Sequence, residues 1–100
     1  MEVTFGNSDL DELELNEHCK SRFSKQVVRA YRRLLRFIRA AADERDLRAY
    51  PGKHFEKLDG DRSHQHSMKI DAKWRLVFEI KKGDPQNTIH VVEITDYHKG

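Results

Sequence analysis

The spacing of apolar residues changes near the middle of this 100-residue chain, at Pro51-Gly52. Before these two residues, apolar side chains recur every three or four positions, which is the period of an amphipathic helix. After them, apolar and polar side chains alternate, which is the period of a strand. Helices followed by strands on short turns favour an α+β fold, with helices packed on one face of a small antiparallel sheet. At this length we expect one domain that spans residues 1–100.

The helical pattern is strongest after Ser24, whose hydroxyl is suited to cap a helix N-terminus. An apolar stripe follows, formed by Val27, Tyr31, Leu34, Leu35, Ile38, Ala41 and Ala42. The remaining face carries five arginines, namely Arg29, Arg32, Arg33, Arg36 and Arg39. We therefore expect a long helix that packs through one side and presents five guanidinium groups on the other. A short strand at 1–5, a weak acidic helix at 8–17 and a helical turn at 43–47 complete this half.

Four strands are predicted in the second half, at residues 54–58, 66–70, 74–80 and 88–97. Alternation puts four apolar residues on the core face of the third strand, namely Trp74, Leu76, Phe78 and Ile80. Arg75 then points to the opposite face, and Ser67 and Lys69 point the same way on the neighbouring strand. We expect that opposite face to be exposed and to gather cations.

Charge is distributed unevenly along the chain, although the formal net charge is only +2. Residues 1–19 contain six acids and no Lys or Arg, whereas residues 20–48 contain ten Lys or Arg and three acids, a net charge of +7. Such a basic block fits a surface that binds a polyanion, and it equally fits a solvated helix face. The single cysteine, Cys19, fits a reducing compartment, and no apolar run approaches the about 20 residues of a membrane span. We expect a cytoplasmic protein without membrane contact.

The last predicted strand ends in Asp96-Tyr97-His98. An acid, a phenol and an imidazole beside arginines are groups that can cleave a phosphodiester without a metal. A histidine in such a position is otherwise more often a solvated surface group, so this tripeptide alone does not decide the function. His64 and His66 form an H-x-H pair that could bind a metal together with His54, but no Cys or Glu completes a known ligand spacing. We predict no metal site and no cofactor.

Four segments carry a further pattern, namely Leu58-x-Gly60-Asp61-Arg62, Gln65-His66-Ser67-x-x-Ile70, Trp74-Arg75-Leu76-x-Phe78 and Asp96-Tyr97-His98. In combination they resemble the HigB (host inhibition of growth) branch of the RelE-like bacterial toxins. The resemblance runs from about Asp46 to His98 and continues more loosely through the long helix. It implies a RelE-like, microbial-ribonuclease-like fold and an endoribonuclease that cuts mRNA in the ribosomal A site without a metal. It also implies a cognate HigA-like antitoxin, usually with a helix-turn-helix, through which alone the complex would contact operator DNA.

The resemblance also assigns roles to individual residues. It makes Asp96, Tyr97 and His98 the terminal catalytic cluster, with Arg75 as the phosphate-binding cation on the sheet. Further substrate contacts are expected from Arg62, Lys57, Lys69, Lys73, Glu56 and His54. Some relatives have a histidine where this chain has Glu56, so either Glu56 or the nearby His54 could join in proton transfer. The five arginines of the long helix would contact ribosomal RNA or acidic residues of the antitoxin.

The implied reaction is attack by the 2′-hydroxyl of the substrate on the adjacent phosphorus. His98, or Asp96 acting with it, would accept the proton, while Arg75 and Arg62 would stabilise the charge on the nonbridging oxygens. The expected products carry a 2′,3′-cyclic phosphate or a 3′-phosphate, together with a 5′-hydroxyl. The alternative is a noncatalytic RNA- or protein-binding module, or a degenerate toxin that acts as a corepressor with its antitoxin.

Overall fold

The computed structural model describes residues 1–16 and 21–96 of the chain. Within these ranges the elements follow one another as β1 (Glu2–Phe5), α1 (Ser8–Leu15), α2 (Lys25–Ala40), α3 (Glu44–Arg48), β2 (Glu56–Lys57), a 3-10 turn (Gly60–Arg62), β3 (His66–Lys69), β4 (Trp74–Lys81) and β5 (Thr88–Asp96). The five strands form a single sheet in the order β1-β5-β4-β3-β2. The helices therefore come first in the chain and most of the sheet comes after them, as the change in apolar spacing predicts.

Strands β2 to β5 pair antiparallel, as expected for strands joined by short turns. β1 joins the other side of β5 in parallel, with Glu2 opposite Thr88 and Phe5 opposite Val91. A parallel pair can form here because the helices, and not a hairpin, connect β1 to the rest of the sheet. The α+β prediction is confirmed, with the correction that the sheet is mixed and not wholly antiparallel.

The hydrophobic core lies between the helices and one face of the sheet. Its α2 side chains are Val27, Ala30, Tyr31, Leu34, Leu35 and Ile38, all buried. Its sheet side chains include Met68, Leu76, Phe78, Ile89 and Val91. The predicted apolar stripe is thus confirmed except for Ala42, which is exposed because α2 ends at Ala40. None of the helices in the described ranges is long and apolar enough to span a bilayer.

At both ends of α2, backbone groups that lack a partner within the helix form hydrogen bonds with groups outside it. At its start the Ser24 hydroxyl accepts the Val27 N–H at 3.2 Å, which confirms the predicted cap. At its end the amino group of Met1 donates to the carbonyls of Ile38, Arg39 and Ala41 at 3.2, 2.9 and 2.6 Å. A positive group is favourable there because the last carbonyls of a helix lack partners and carry the negative end of the helix dipole. These contacts fix β1 beside the end of α2.

The arginine-rich face of α2 is not uniformly free. Arg32 donates from Nε to the carbonyl of Leu13 at 2.8 Å, and Arg39 forms a double hydrogen bond with Glu14 at 2.8 and 2.7 Å. The other three arginines of this face are exposed, namely Arg29, Arg33 and Arg36. The prediction of five presented guanidinium groups is therefore wrong for Arg32 and Arg39, which are engaged within the chain. The cause is α1, which packs beside α2 and brings acceptors within reach of both side chains.

The second half differs from the sequence expectation at two places. β2 covers only Glu56–Lys57, because His54 has a positive φ of 47° and so leaves the extended conformation. Ser67, expected on an exposed face, is only 1% exposed. Its neighbours across the sheet are Glu56 on β2 and Val77 on β4, and the larger side chains around it cover its short one. The face of the sheet that points away from the helices is therefore partly buried by its own larger side chains.

Candidate functional site

The face of the sheet that points away from the helices carries most of the predicted polar site. We call it the outer face and define it by Glu56, Ser67, Lys69, Arg75, Val77, Glu79, Glu93 and Thr95. Its members follow from the strand register, in which Glu56 lies opposite Ser67, Ser67 opposite Val77, and Val77 opposite Glu93. Residues directly opposite each other in paired strands point to the same face. The outer face is thus fixed by pairing and extends over β2 to β5.

Arg75 is the best-anchored cation of the outer face. Its side chain is only 12% exposed, and Nη1 lies 3.1 Å from the Glu56 carboxylate. Nη2 donates to the main-chain carbonyl of His54 at 2.8 Å. The positive φ of His54 turns that carbonyl towards the sheet, and such a conformation in a residue other than glycine costs free energy. The chain thus uses a strained residue and a carboxylate to hold one guanidinium in place.

Arg62 reaches the outer face from the 3-10 turn. This turn begins at Gly60, whose φ of +64° suits glycine. Nε of Arg62 donates to Gln65 Oε1 at 2.7 Å, and Nη2 lies 3.3 Å from the Glu93 carboxylate. Because Glu93 lies opposite Val77 on the outer face, this contact places the Arg62 guanidinium at that face. The predicted second basic group is therefore on the same face as Arg75.

The outer face contains acids as well as cations. Glu56 and Glu93 pair with the two arginines, and Glu79 accepts from Lys81 at 2.8 Å. Hydrogen bonds from Lys81 and then Gln65 hold the pKa of the Glu79 carboxyl below its usual value. The expectation of a face that gathers cations is therefore incomplete. A phosphate that binds there must share or replace carboxylates that already hold the guanidinium groups.

The predicted lysines are divided between the two faces of the sheet. Lys69 lies opposite Arg75 and so belongs to the outer face. Lys57 lies opposite His66, whose ring packs on the core side, and Lys73 places its ammonium 5.1 Å from the centroid of the Trp74 ring. Of these three lysines, the structure brings only Lys69 to the face of Arg75.

Asp96 lies on the face opposite to that of Arg75. In the register of β4 and β5, Thr95 is opposite Arg75 and Asp96 is opposite Trp74. Trp74 packs on the helix side, edge to face with Phe23 at 5.1 Å between ring centroids. The expectation that the Asp96 carboxylate acts beside Arg75 therefore does not fit the register. Tyr97 and His98 lie outside the described residues, so their place in the site stays a prediction.

The H-x-H pair does not share a face. His64 precedes β3 and its Nε2 lies 3.6 Å from the carboxylate of Glu79 on the outer face. The His66 ring packs on the core side between Phe55 and Phe78, with centroid distances of 5.1 and 6.3 Å. Burial lowers the pKa of this imidazole below its ordinary value. Among residues 1–16 and 21–96, no three His, Cys, Asp or Glu side chains are grouped so that they could hold a metal.

Two members of the outer-face network were given no role in the site from the sequence. Gln65 bridges Arg62 and Glu79, accepting from the first and donating to the second at 3.4 Å. Glu93 pairs with Arg62. Alternation along β5 could have placed Glu93 on the same face as Thr95. It could not have paired Glu93 with a side chain that precedes it by 31 residues.

The fold has a counterpart among known structures. It is similar to a YoeB/ParE toxin from Agrobacterium tumefaciens with a TM-score of 0.65, over 98% of this chain and 100% of that one. The two sequences are 18% identical, so this likeness establishes the fold and nothing more specific. The class is that of the RelE-like toxin folds, which the sequence resemblance predicted.

Sequence comparison gives the family within that class. The chain is 36% identical to Toxin HigB-1 of Vibrio cholerae serotype O1 over 62 residues, which are 62% of this chain. The alignment spans 65% of that relative, a little less than two thirds of its length. Residues 5–98 match the family of HigB-like toxins, described as RelE-like toxins of the type II toxin-antitoxin system HigB. The chain belongs to this family, and the predicted relationship is confirmed.

Proposed function

We propose that this chain is the toxin of a type II toxin-antitoxin system and acts as an endoribonuclease on mRNA bound to the ribosome. Family membership supports the first part. The observation that supports the second is Arg75, a largely buried guanidinium held between the Glu56 carboxylate and the His54 carbonyl. A cation in a fixed position on a sheet is suited to stabilise charge that develops on a phosphate. β5, which pairs with the strand of Arg75, ends at Asp96, and Tyr97 and His98 follow it in the sequence.

The carboxylate beside Arg75 suggests a division of labour in proton transfer. Glu56 is half exposed and lies 3.1 Å from Arg75 Nη1, so a phosphate bound to Arg75 would place its neighbouring 2′-hydroxyl near Glu56. We assign proton uptake to Glu56 rather than to Asp96, which lies on the other face. His54 contributes its carbonyl, which positions Arg75. Of the two candidates for proton transfer, Glu56 and His54, we therefore propose the Glu56 carboxylate.

The reaction then proceeds without a redox step or a co-reactant. The 2′-oxygen forms a bond to phosphorus as its proton passes to Glu56, and the bond from phosphorus to the 5′-oxygen breaks. The leaving 5′-oxygen takes a proton, which we assign to the imidazolium of His98. Arg75 stabilises the nonbridging oxygens, and Tyr97 offers a ring on which a base can stack. The products of this step are a 2′,3′-cyclic phosphate and a 5′-hydroxyl, and attack of water on the cyclic phosphate can then open it to a 3′-phosphate.

Partners follow from the same proposal. mRNA and the ribosome supply the substrate and its platform, and a cognate HigA-like antitoxin silences the toxin and carries it to operator DNA. The exposed cations of α2 would contact ribosomal RNA or the antitoxin through charge. The working compartment is the cytoplasm, where translating ribosomes are found.

The proposal is tested with purified protein, translating ribosomes and a defined mRNA. We expect Arg75→Ala to slow cleavage by about 100-fold or more, and the double variant His98→Ala, Tyr97→Ala to slow it at least as much. Lys82→Ala is the matched control, since Lys82 is exposed in the β4–β5 loop, outside the outer face. The chemistry of the new ends is read by enzymatic labelling. New 3′ ends that are plain hydroxyls would rule out this mechanism.

One observation favours the noncatalytic alternative. Arg62 and Arg75 are both ion-paired within the chain, which is also what a purely structural network would show. A binding module would inhibit growth equally with and without Arg75, and it would leave mRNA 5′ ends unchanged. The same variants, expressed in cells with growth and mRNA ends recorded together, therefore separate the two functions.

A further inference from the structure

Ser67 is a buried polar residue in the middle of the outer face. It lies on β3 and is only 1% exposed, although serine is found mostly at protein surfaces. Its hydroxyl has no hydrogen-bond partner within residues 1–16 and 21–96. A buried hydroxyl without a partner costs free energy because it has lost its hydrogen bonds to water. Since the large majority of buried polar groups in proteins are paired, this exception calls for a physical reason.

The ion pair between Arg75 and Glu56 explains why Ser67 is buried. Glu56 lies on β2, directly opposite Ser67. Arg75 lies on β4, opposite Lys69, which is two residues further along β3. Because β3 lies between β2 and β4, the ion pair of 3.1 Å spans β3. The short side chain of Ser67 is therefore covered by the groups to which we assign phosphate binding and proton uptake.

Val77 shows that this burial comes from the outer face itself. It lies on β4 opposite Ser67 and is buried, yet it does not belong to the hydrophobic core between sheet and helices. The next residue in the same row is Glu93, which pairs with Arg62 at 3.3 Å. The two short side chains in the middle of the row are thus flanked by arginine–glutamate pairs. Ser67 is the one that carries a hydroxyl, and its flanking acid is Glu56.

The Ser67 hydroxyl is close enough to Glu56 to become its partner. Side chains directly opposite each other in antiparallel strands have Cβ atoms about 4.5 to 5.5 Å apart. A serine hydroxyl can donate one hydrogen bond, and an ionised carboxylate can accept several. The Glu56 carboxylate instead contacts the Arg75 guanidinium. The free protein therefore keeps an unused donor beside a carboxylate that has another partner.

We propose that Ser67 is a positioning residue, whose hydroxyl holds the Glu56 carboxylate once a substrate phosphate has taken its place on Arg75. The inference rests on the proposed function, in which Arg75 binds the phosphate and Glu56 accepts the proton. A phosphate on Arg75 Nη1 separates Glu56 from the guanidinium, so the carboxylate needs a new donor. Ser67 donates to one oxygen of Glu56 and leaves the other oxygen free for the proton of the 2′-hydroxyl. Ser67 itself neither touches the substrate nor transfers a proton.

This role gives Ser67→Ala opposite effects on stability and on rate. The substitution removes a buried hydroxyl that has no partner in the described part of the free protein, so the midpoint of thermal unfolding should stay the same or rise. The same substitution removes a donor to a charged group during the reaction. The single-turnover rate at saturating ribosome-bound mRNA should therefore fall by about tenfold, whereas the mRNA concentration for half the maximal rate should not change.

Two further variants serve as controls for this measurement. Ser67→Thr keeps the hydroxyl and should retain most of the rate of the wild type. Ser63→Ala makes the same change as Ser67→Ala at an exposed serine outside the outer face, and it should leave the rate unchanged. Thermal melts establish that each variant folds. A fall in rate for Ser67→Ala that Ser67→Thr does not share would tie the effect to the hydroxyl.

A double-mutant cycle with Glu56→Gln separates positioning from direct contact with the phosphate. If Ser67 acts through Glu56, adding Ser67→Ala to Glu56→Gln should slow cleavage by less than about twofold more, because the group that Ser67 positions has already lost its function. A loss of about tenfold in both backgrounds would refute the inference and would make Ser67 a direct contact of the substrate.

The other outcomes separate this inference from the proposed function. If the wild-type protein does not cleave ribosome-bound mRNA, the proposed function is wrong and the role of Ser67 falls with it. If Arg75→Ala and Glu56→Gln are slow but Ser67→Ala cleaves at the rate of the wild type, only the role of Ser67 is refuted. A Ser67→Ala protein that unfolds at a lower temperature would also refute it, since the hydroxyl would then support the fold. Slow cleavage at unchanged stability, together with the loss of effect in the Glu56→Gln background, supports it.

Discussion

The outer face and the exposed arginines of α2 present the same functional group in different ways. On the outer face Arg62 and Arg75 each contact a carboxylate, and the side chain of Arg75 is 12% exposed. On α2, Arg29, Arg33 and Arg36 are exposed and form no ion pair within the described ranges. A guanidinium with fixed partners has a defined position, which chemistry at a single phosphorus requires. A free one attracts any nearby anion, which suits docking and steering.

The largest expected effect concerns the fixed arginine and its carboxylate. Glu56→Gln keeps the size of the side chain and removes its charge, so it should slow cleavage by about 100-fold to 10,000-fold if Glu56 takes up the proton. Single-turnover rates on ribosome-bound mRNA measure the loss. Glu93→Gln is the control, since it removes an acid from the same face that contacts Arg62 instead of Arg75. Equal rates for Glu56→Gln and the wild type would show that Glu56 does not take up the proton and only positions Arg75.

The sequence could predict which face of the sheet Arg75 lies on, but not which acids the arginines contact. Alternation from Trp74 to Ile80 is local, so it correctly placed Arg75 away from the core. The contact of Arg62 with Glu93 depends on strand order and on the irregular register next to Val77 and Phe78. Neither is visible in local spacing. The same holds for Arg39 and Glu14, which are 25 residues apart.

Backbone conformation explains the remaining differences. Residues 54–58 have the composition of a strand, but the positive φ of His54 shortens β2 and turns its carbonyl to Arg75. Histidine adopts a positive φ more often than most residues, but nothing in the local sequence marks residue 54 for it. Asp96 was expected beside Arg75 as a member of the terminal Asp96-Tyr97-His98 cluster, whereas the register sets it opposite Trp74. Successive side chains along a strand point to opposite faces, so a shift of one residue moves a side chain to the other face.

The second prediction concerns the free arginines of α2. Replacing Arg29 and Arg36 with Ser should weaken ribosome binding and make it less sensitive to salt. The negative slope of the logarithm of the association constant against the logarithm of salt concentration should become shallower by about 0.7 to 0.9 for each phosphate that is no longer neutralised. Co-sedimentation at several salt concentrations gives the slope. Arg45→Ser and Arg48→Ser together form the control, since these exposed arginines on α3 lie next to acids at 2.8 and 4.0 Å. An unchanged slope would mean that α2 does not face RNA, and the antitoxin would then be the only proposed partner of these cations.

A smaller effect is expected from the ion pair between Arg62 and Glu93 on the outer face. Glu93→Gln and Arg62→Ala should each lower the free energy of unfolding, with a coupling between them of about 0.2 to 1 kcal/mol because both side chains are nearly half exposed. A double-mutant cycle by urea denaturation measures this coupling. A coupling near zero would show that the contact positions Arg62 without stabilising the fold. Arg75 would then be the only outer-face arginine among the described residues whose ion pair could contribute to stability.

The smallest effect expected is a pH dependence from His66 on the core side of β3. Burial between Phe55 and Phe78 lowers its pKa, with Arg48 and Lys57 acting in the same direction and Glu44 against it. Since the unfolded chain takes up this proton more readily, the stability contribution is complete above the unfolded pKa of about 6.5 and is lost as the pH falls towards the folded pKa. The difference in unfolding free energy between wild type and His66→Gln should therefore shrink on acidification. A difference that stays constant between about pH 5 and about pH 8 would contradict this, and His64→Gln, at an exposed histidine, is the control. A positive result would show that His66, on the core side and away from both arginine surfaces, contributes to the pH dependence of stability.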